Sequence, residues 1–303
     1  MKSKAMQVHT LDLNFRGLTH NTAAYLVQGP TGAILIETGP RSTLETLLAA
    51  LAAHGVDPQS IRDVLVTHIH LDHSGAAGWW AQQGARIYVH PNGARHLVDP
   101  AKLIASAERI YGDRMQDLWG EILPIDAQLV LPCADNTVLQ LAGLEIEVLA
   151  TPGHAGHHNA YRIGRQLFCG DVAGVRTPGT ALQSLPAPPP EFDVEAWQVS
   201  LARLMQLDLQ CLYLTHFGAV TDVRAHLEEL ASLVISAADF VRGRLKAGIP
   251  RETLLAEYIA WNRVRALETG LKEEDWQRFE AANPIYMSVD GITRYWTKKW
   301  ETK

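Results

Sequence analysis

The run Thr67-His68-Ile69-His70-Leu71-Asp72-His73-Ser74-Gly75 places three imidazoles and a carboxylate within the six positions from His68 to His73, directly after the apolar stretch Val64-Leu65-Val66. Imidazole nitrogen and carboxylate oxygen together suit zinc, iron or manganese, and donors at the C-terminal end of a strand are held rigidly enough to fix a coordination geometry. The alternative, a polar loop that happens to be rich in histidine, would not be joined downstream by three further signals that complete the same site.

Outward from this run the chain reads as alternating short elements. Upstream, Met6 to Leu13 alternates weakly, and Thr22 to Val27 and Ala33 to Glu37 form two strands joined at Gly29-Pro30-Thr31-Gly32, a β-hairpin. Ser42-Thr43-Leu44-Glu45 is a capping-box pattern that predicts a helix ending near Gly55. Strand Asp63 to Thr67, the histidine run, a helix from Ser74 to Gln83 and strand Arg86 to His90 make a strand, helix, strand unit. Residues 100 to 120 read as helical, followed by short strands at Leu129–Leu131, Thr137–Leu141, Leu144–Leu149, Asn159–Ile163 and Gln166–Cys169. Between Gly174 and Phe192 stand five prolines (Pro178, Pro186, Pro188, Pro189 and Pro190), and a loop of this length inside a compact domain is more often functional than idle. A helix from Glu191 to Met205 and a buried strand from Cys211 to Thr215 follow. Beyond Thr221 the pattern turns to amphipathic helices over Val223–Ala247, Arg251–Thr269 and Lys272–Ala282, which predicts a catalytic region of residues 1–222 and a helical cap of residues 223–303.

A chain of 303 residues with 47% hydrophobic and 20% charged residues has the composition of a folded globular protein. Its net charge of -6 gives no footprint for nucleic acid or anionic membrane, and its apolar stretches fall short of the roughly 20 residues that span a bilayer. No apolar segment of the secretory kind follows Met1-Lys2-Ser3-Lys4-Ala5-Met6, so a cytoplasmic protein is expected. Cys133, Cys169 and Cys211 are odd in number and widely spaced, which reads as buried free thiols and not as a disulfide framework.

The same form, an apolar strand and then a polar residue, recurs down the chain: His154 in Thr151-Pro152-Gly153-His154, Asp171 after Phe168-Cys169-Gly170, and His216 after Tyr213-Leu214-Thr215. Through His68-x-His70-x-Asp72-His73 followed by His154, Asp171 and His216, residues 6 to 222 resemble the metallo-β-lactamase-fold hydrolase superfamily. The resemblance implies an α/β (α+β) fold, a four-layer αββα sandwich, here with a C-terminal helical extension. It also implies a ligand set, with His68, His70 and His154 on one metal, Asp72, His73 and His216 on a second, and Asp171 bridging. Two divalent ions are then expected, zinc first, with iron and manganese as alternatives, sharing a hydroxide that attacks a carbonyl while Asp72 acts as the catalytic residue that orients it.

A carboxylate at Asp171, where some β-lactamases carry a cysteine, is similar to the glyoxalase II and thioesterase-like branch, whose helices cover the cleft. The expected substrate is accordingly a small-molecule thioester of the acyl-CoA or acyl-glutathione type. A lactonase or esterase of the same fold is an alternative, although such enzymes often place a tyrosine shortly after the bridging aspartate and Val172-Ala173-Gly174 has none. Two others are a mononuclear iron persulfide dioxygenase and a regulatory, partner-binding protein. Candidate substrate contacts are Arg176 (a guanidinium for a carboxylate or phosphate, or else a surface ion pair), His158 (lining the cleft, or orienting a ligand) and Tyr286. Cys169 reads as packing. Expected partners are the substrate and a second copy of the chain in a homodimer; nucleic acid and membrane are not among them.

Overall fold

The computed structural model describes residues 5–176 and 178–301. Its first sheet consists of β1 (Gln7–Asp12), β2 (Ala23–Gly29), β3 (Gly32–Ile36), β4 (Asp63–Leu65), β5 (Arg86–Val89) and β6 (Val130–Pro132), in that spatial order. β1 to β3 pair antiparallel, and β4, β5 and β6 are added in parallel. The two-residue period assigns the faces: Ala23, Tyr25, Val27, Ile34 and Ile36 point to the layer between the sheets, while Ala24, Leu26 and Leu35 point outward.

The second sheet consists of β7 (Val138–Leu141), β8 (Leu144–Ala150), β9 (Asn159–Ile163), β10 (Gln166–Gly170) and, after a short ribbon of β11 (Val175–Arg176) with β12 (Gln183–Ser184), β13 (Cys211–Leu214) and β14 (Gly218–Val220). Its spatial order is β14-β13-β10-β9-β8-β7, with β10 and β13 parallel. Aromatic rings fill the space between the sheets, where Tyr25 meets Phe168 edge-on at 5.4 Å and Phe168 stacks on Tyr213 at 4.8 Å. Buried hydroxyls also tie the sheets together, since Tyr25 donates to the Leu214 carbonyl and Tyr161 to the Val66 carbonyl at 2.8 Å.

Helices α1 (Leu44–Ala53), α2 (Leu71–Ser74), α3 (Ala77–Gln82), α4 (Pro91–Val98), α5 (Ala101–Tyr111) and α6 (Met115–Trp119) accompany the first sheet. Those packed on its outer face bury Leu47, Leu51, Trp80 and Leu97. α7 (Val194–Leu204), α8 (Val223–Lys246), α9 (Arg251–Glu268), α10 (Glu273–Ala282) and α11 (Ile285–Glu301) cover the second, completing an αββα sandwich. Buried side chains of these five helices and of β8, β9, β10 and β13 form one continuous cluster, so the helical extension shares the core of the sheet it covers. Among the described residues no helix is long and apolar enough to cross a membrane.

Three local expectations change. The capping box at Ser42 is not used: the Ser42 hydroxyl donates to the Leu118 carbonyl at 2.6 Å, tying α1 to α6, and α1 starts behind a 3-10 turn over Arg41–Thr43 with no side-chain cap. The helical stretch 100–120 is broken at Gly112, whose φ of +51° suits glycine, into α5 and α6. Helices α4 and α11, unforeseen, are set by Pro91 at the first turn with a His90 ring accepting from the Asn92 amide, and by burial of Ile285, Ser288, Val289, Ile292 and Trp296 along one face.

Candidate metal centre

Four connections leave strand ends at the same edge of the sandwich, and each delivers a donor. β4 runs on to His68; His70 precedes α2, whose single turn carries Asp72 and His73; the loop after β8 brings His154; Asp171 follows β10 directly; His216 follows β13. Gly170 lets β10 close in on the end of β4, because a Cβ there would stand 2.4 Å from the Thr67 hydroxyl and 2.7 Å from His158 Nε2.

The seven residues resolve into two facing sets. His68 Nε2, His70 Nδ1 and His154 Nε2 lie 2.9, 2.9 and 3.2 Å apart. On the other side, Asp72 Oδ2 stands 3.4 Å from His216 Nε2 and 3.9 Å from His73 Nε2. Asp171 turns one oxygen to each set, with Oδ2 at 3.3 Å from His154 Nε2 and Oδ1 at 3.3 Å from His73 Nε2 and 3.6 Å from His216 Nε2.

The opposite ring nitrogens are already committed. His154 Nδ1 donates to the Pro186 carbonyl at 2.7 Å, His216 Nδ1 to the Asn21 carbonyl at 2.9 Å, and His73 Nδ1 to Glu37 Oε1 at 3.0 Å. Donation on the outer side leaves a lone pair on each inner nitrogen, the arrangement in which a second partner fixes the tautomer of a metal-ligating histidine. Two nitrogens bound tetrahedrally at about 2.0–2.1 Å from zinc would be roughly 3.3 Å apart, close to the separations seen here. His73 Nε2 and Asp171 Oδ1, both buried, have no hydrogen-bond partner within the protein. Orphaned acceptors of this kind, aimed at one point, fit a cation.

Electrostatics agree with the geometry. Burial, reinforced by neighbouring imidazoles, pushes His68 and His70 well below the ordinary histidine range, and burial lowers His154 against the pull of Asp171. Burial opposes ionisation of Asp72 and Asp171 but is outweighed by the histidines, His73 first, so both are held well below the usual carboxylate range. His68, His70 and His154 are thus presented as neutral imidazoles beside ionised carboxylates, while those carboxylates, Asp171 first, raise His73 and His216 against the effect of burial.

Glu37 is the residue that sequence reasoning missed. Only 1% exposed and with φ at +66°, it accepts from the Thr67 amide and hydroxyl at 3.2 and 2.5 Å, from Thr215 Oγ1 at 3.2 Å and from His73. It therefore binds the ends of β3, β4 and β13 together behind the ligands. Its signal was an acidic residue closing the apolar run Ala33–Ile36 ahead of Thr38-Gly39. Glu37→Gln should lower metal affinity about 10- to 100-fold, the usual cost of losing an outer-shell partner; chelator-competition titration reads it, and undiminished affinity would show that Glu37 serves only to join strands.

The candidate substrate residues separate. Tyr286, at the start of α11, lines a cavity of about 790 Å³ whose floor includes His70, Asp72, His154, Asp171 and His216. Arg176 does not line it: Asp222 holds its guanidinium at 2.7 Å and the Thr180 carbonyl accepts from Nε at 3.2 Å. His158 is fully buried behind the ligands, where Nδ1 meets Thr151 Oγ1 at 2.8 Å and Nε2 accepts the Asp171 amide at 3.1 Å, so it orients Asp171. Cys169 packs in the outer cluster. The C-terminal helices reach the ligands indirectly, since Asn283 and Ser288 donate to the Leu185 carbonyl, one residue before Pro186, and His226 Nε2 donates to the Ala173 carbonyl at 2.8 Å.

A family model described as the metallo-beta-lactamase superfamily matches residues 18–216 and ends on the last of these ligands. A metallo-beta-lactamase fold-containing protein of Sulfurisphaera tokodaii is 29% identical over 175 residues, 56% of this chain and 66% of that protein. A hydroxyacylglutathione hydrolase of a Shewanella species is 26% identical over 198 residues, 63% of each. The chain spans less than two thirds of the length of either relative. Among solved structures, a metallo-beta-lactamase family protein from Thermus thermophilus shares the fold with a TM-score of 0.66 at 24% identity, over 97% of this chain and 94% of that one.

Proposed function

The chain belongs to the metallo-beta-lactamase superfamily, and from that premise we propose that it is a dinuclear metal-dependent hydrolase of thioesters. The observation that carries the proposal is Asp171, which turns one oxygen to the His68–His70–His154 set and the other to the Asp72–His73–His216 set. Two divalent ions held there, zinc by the chemistry of the donors, would supply a water acidified toward neutral pH and polarise the carbonyl it attacks.

The protein's own groups do the rest. Asp72, ionised and 25% exposed, is the more exposed of the two candidate ligand carboxylates on the cavity floor; it orients the attacking water and accepts its proton as the carbon–oxygen bond forms. His158 and Glu37 hold Asp171 and His73 in register during that step. The cavity is large enough to enclose an acyl group with part of its leaving group.

Thioester cleavage is favoured over other acyl transfer on two grounds. The Shewanella relative is named for hydrolysing a hydroxyacylglutathione, and an acyl group on the sulfur of glutathione is a thioester. A thiol with a pKa near ~8.5 also departs as thiolate with little need of a proton donor, which suits a site whose titratable groups are engaged as ligands.

Zinc-loaded protein should hydrolyse acyl-CoA or acyl-glutathione thioesters, lose at least about 99% of that activity on chelation and regain it with zinc, the behaviour of a site whose ion supplies the nucleophile. Thioesters left intact while a lactone or phosphodiester turns over would overturn the proposal. Oxygen uptake on glutathione persulfide by an iron-containing preparation would replace it with an oxygenase.

A further inference from the structure

Two exposed arginines stand on the cavity wall. Arg16 and Arg114 both line the wall and, among the described residues, neither has a carboxylate partner. Elsewhere arginines are mostly engaged: Arg176 with Asp222, Arg203 with Asp135, Arg251 with Asp290. Of the wall's acidic groups outside the ligand set, Glu191 is taken by His157 at 3.4 Å and the Gly156 amide at 2.8 Å, and Glu280 lies in the field of Arg263.

Arg16 is also presented at a conformational cost. It and Asn14 have φ of +59° and +48°, a region that disfavours residues with a Cβ. The turn is clamped by Asp12, whose carboxylate accepts the amides of Asn14 and His20 at 3.1 and 2.7 Å, and by Phe15, which is buried and stacked on Trp119 at 5.4 Å. Strained backbone that the surroundings over-determine is characteristic of ligand-binding positions. Arg114 closes the turn between α5 and α6, next to Met115 and close in sequence to Tyr111, both of which pack against the Phe15–Trp119 cluster. Tyr286 lies near both guanidiniums: burial raises its hydroxyl pKa, Arg114 acts against that rise, Asp290 adds to it, and Arg16 and Arg251 oppose it. Tyr111 lies within the field of both Asp72 and Arg114, so this end of the cavity adjoins the reacting end.

We propose that Arg16 and Arg114, with the Tyr286 hydroxyl, form an anion subsite that selects a substrate bearing a carboxylate or phosphate, its apolar part lying on the Phe15–Trp119 wall. The subsite rests on the thioester reading only for the identity of the reactive group. The anion can belong to the thiol half of the substrate or to the acyl half, and guanidinium serves either through paired hydrogen bonds.

Binding of unreactive thioethers to the zinc-loaded chain, measured by calorimetry, tests it without turnover. The probes are neutral S-benzyl-N-acetylcysteamine, S-benzylglutathione and S-benzyl-CoA for the thiol half, and S-(3-carboxypropyl)-N-acetylcysteamine for the acyl half. At least one anionic probe should bind tenfold or more tightly than the neutral one, with the advantage shrinking as salt is added. That ratio should collapse to within about threefold in Arg16→Asn/Arg114→Ala, in which asparagine tolerates the left-handed backbone, and persist largely in Arg114→Lys, which keeps the charge. Which anionic probe gains tells which half carries the charge. No advantage for any anionic probe, or an advantage that survives the double substitution, overturns the subsite. Charge-selective binding with no hydrolysis of the matching thioesters would instead sink the proposed activity and leave the subsite standing.

Discussion

Replacing Asp171 with alanine should reduce hydrolysis about a thousandfold or more, at the upper end of what losing one charge-stabilising group costs. It should also bring metal content well below that of the parent. The reason is positional. Asp171 turns one oxygen to each candidate set and is buried, so its loss removes a donor from both at once. Its loss also removes the largest influence that pulls His73 and His216 above their ordinary range against burial. Elemental analysis and steady-state rates on the same preparation would check both parts. Asp171→Asn separates them, since it keeps the shape and one oxygen. An alanine variant with full metal content and parental rate would mean that the two sets are independent and that Asp171 is a bystander.

Trp197→Ala should cost about 3–5 kcal/mol of folding stability, the range for truncating a fully buried large aromatic side chain. Trp197, in α7, is completely buried in the cluster that joins the second sheet to its helices. Its indole donates to the Val172 carbonyl at 2.7 Å, one residue past Asp171, and its ring lies 6.0 Å from that of His154, edge to face. The variant thus loses packing and leaves a carbonyl unsatisfied beside the ligands. Denaturant titration should show the midpoint falling at unchanged slope, with metal affinity falling as well. A loss below 1 kcal/mol would show that the cluster repacks around the cavity, and unchanged metal affinity would show that Trp197 does not brace the site.

The candidate ligands were legible because each is announced locally. An apolar run that alternates or lies wholly buried ends in a histidine or aspartate, and a strand end is a short-range event; this holds for His68, His154, Asp171 and His216 alike. That these ends meet is not local, and there the resemblance to a family supplied what periodicity could not. Glu37 escaped because a single acidic residue after a strand looks like a solvated turn, and its partners come from Thr67, His73 and Thr215 far along the chain. Arg176 and His158 were each left with two readings for a related reason. A side chain beside a strand end can turn to either face, and the choice was made by Asp222 in one case and by Thr151 with the Asp171 amide in the other. Helix α11 was hidden by Gly291, which reads as a break in a helix but admits the Pro-rich loop, since a Cβ there would stand 1.9 Å from the Ala187 carbonyl oxygen.

The cluster shared by the second sheet and α7 to α11 bears on how such a protein can diversify. A cap joined through a hinge can be exchanged between relatives as a unit, carrying its selectivity with it. Here the face that α8 and α11 present to the sheet is the same interior that holds Leu167, Leu212 and Leu214, so a foreign cap would have to match that interior before it could select anything. Changes in what the cavity admits are therefore expected from substitution in place, at the few positions from Gln277 to Met287 that line it.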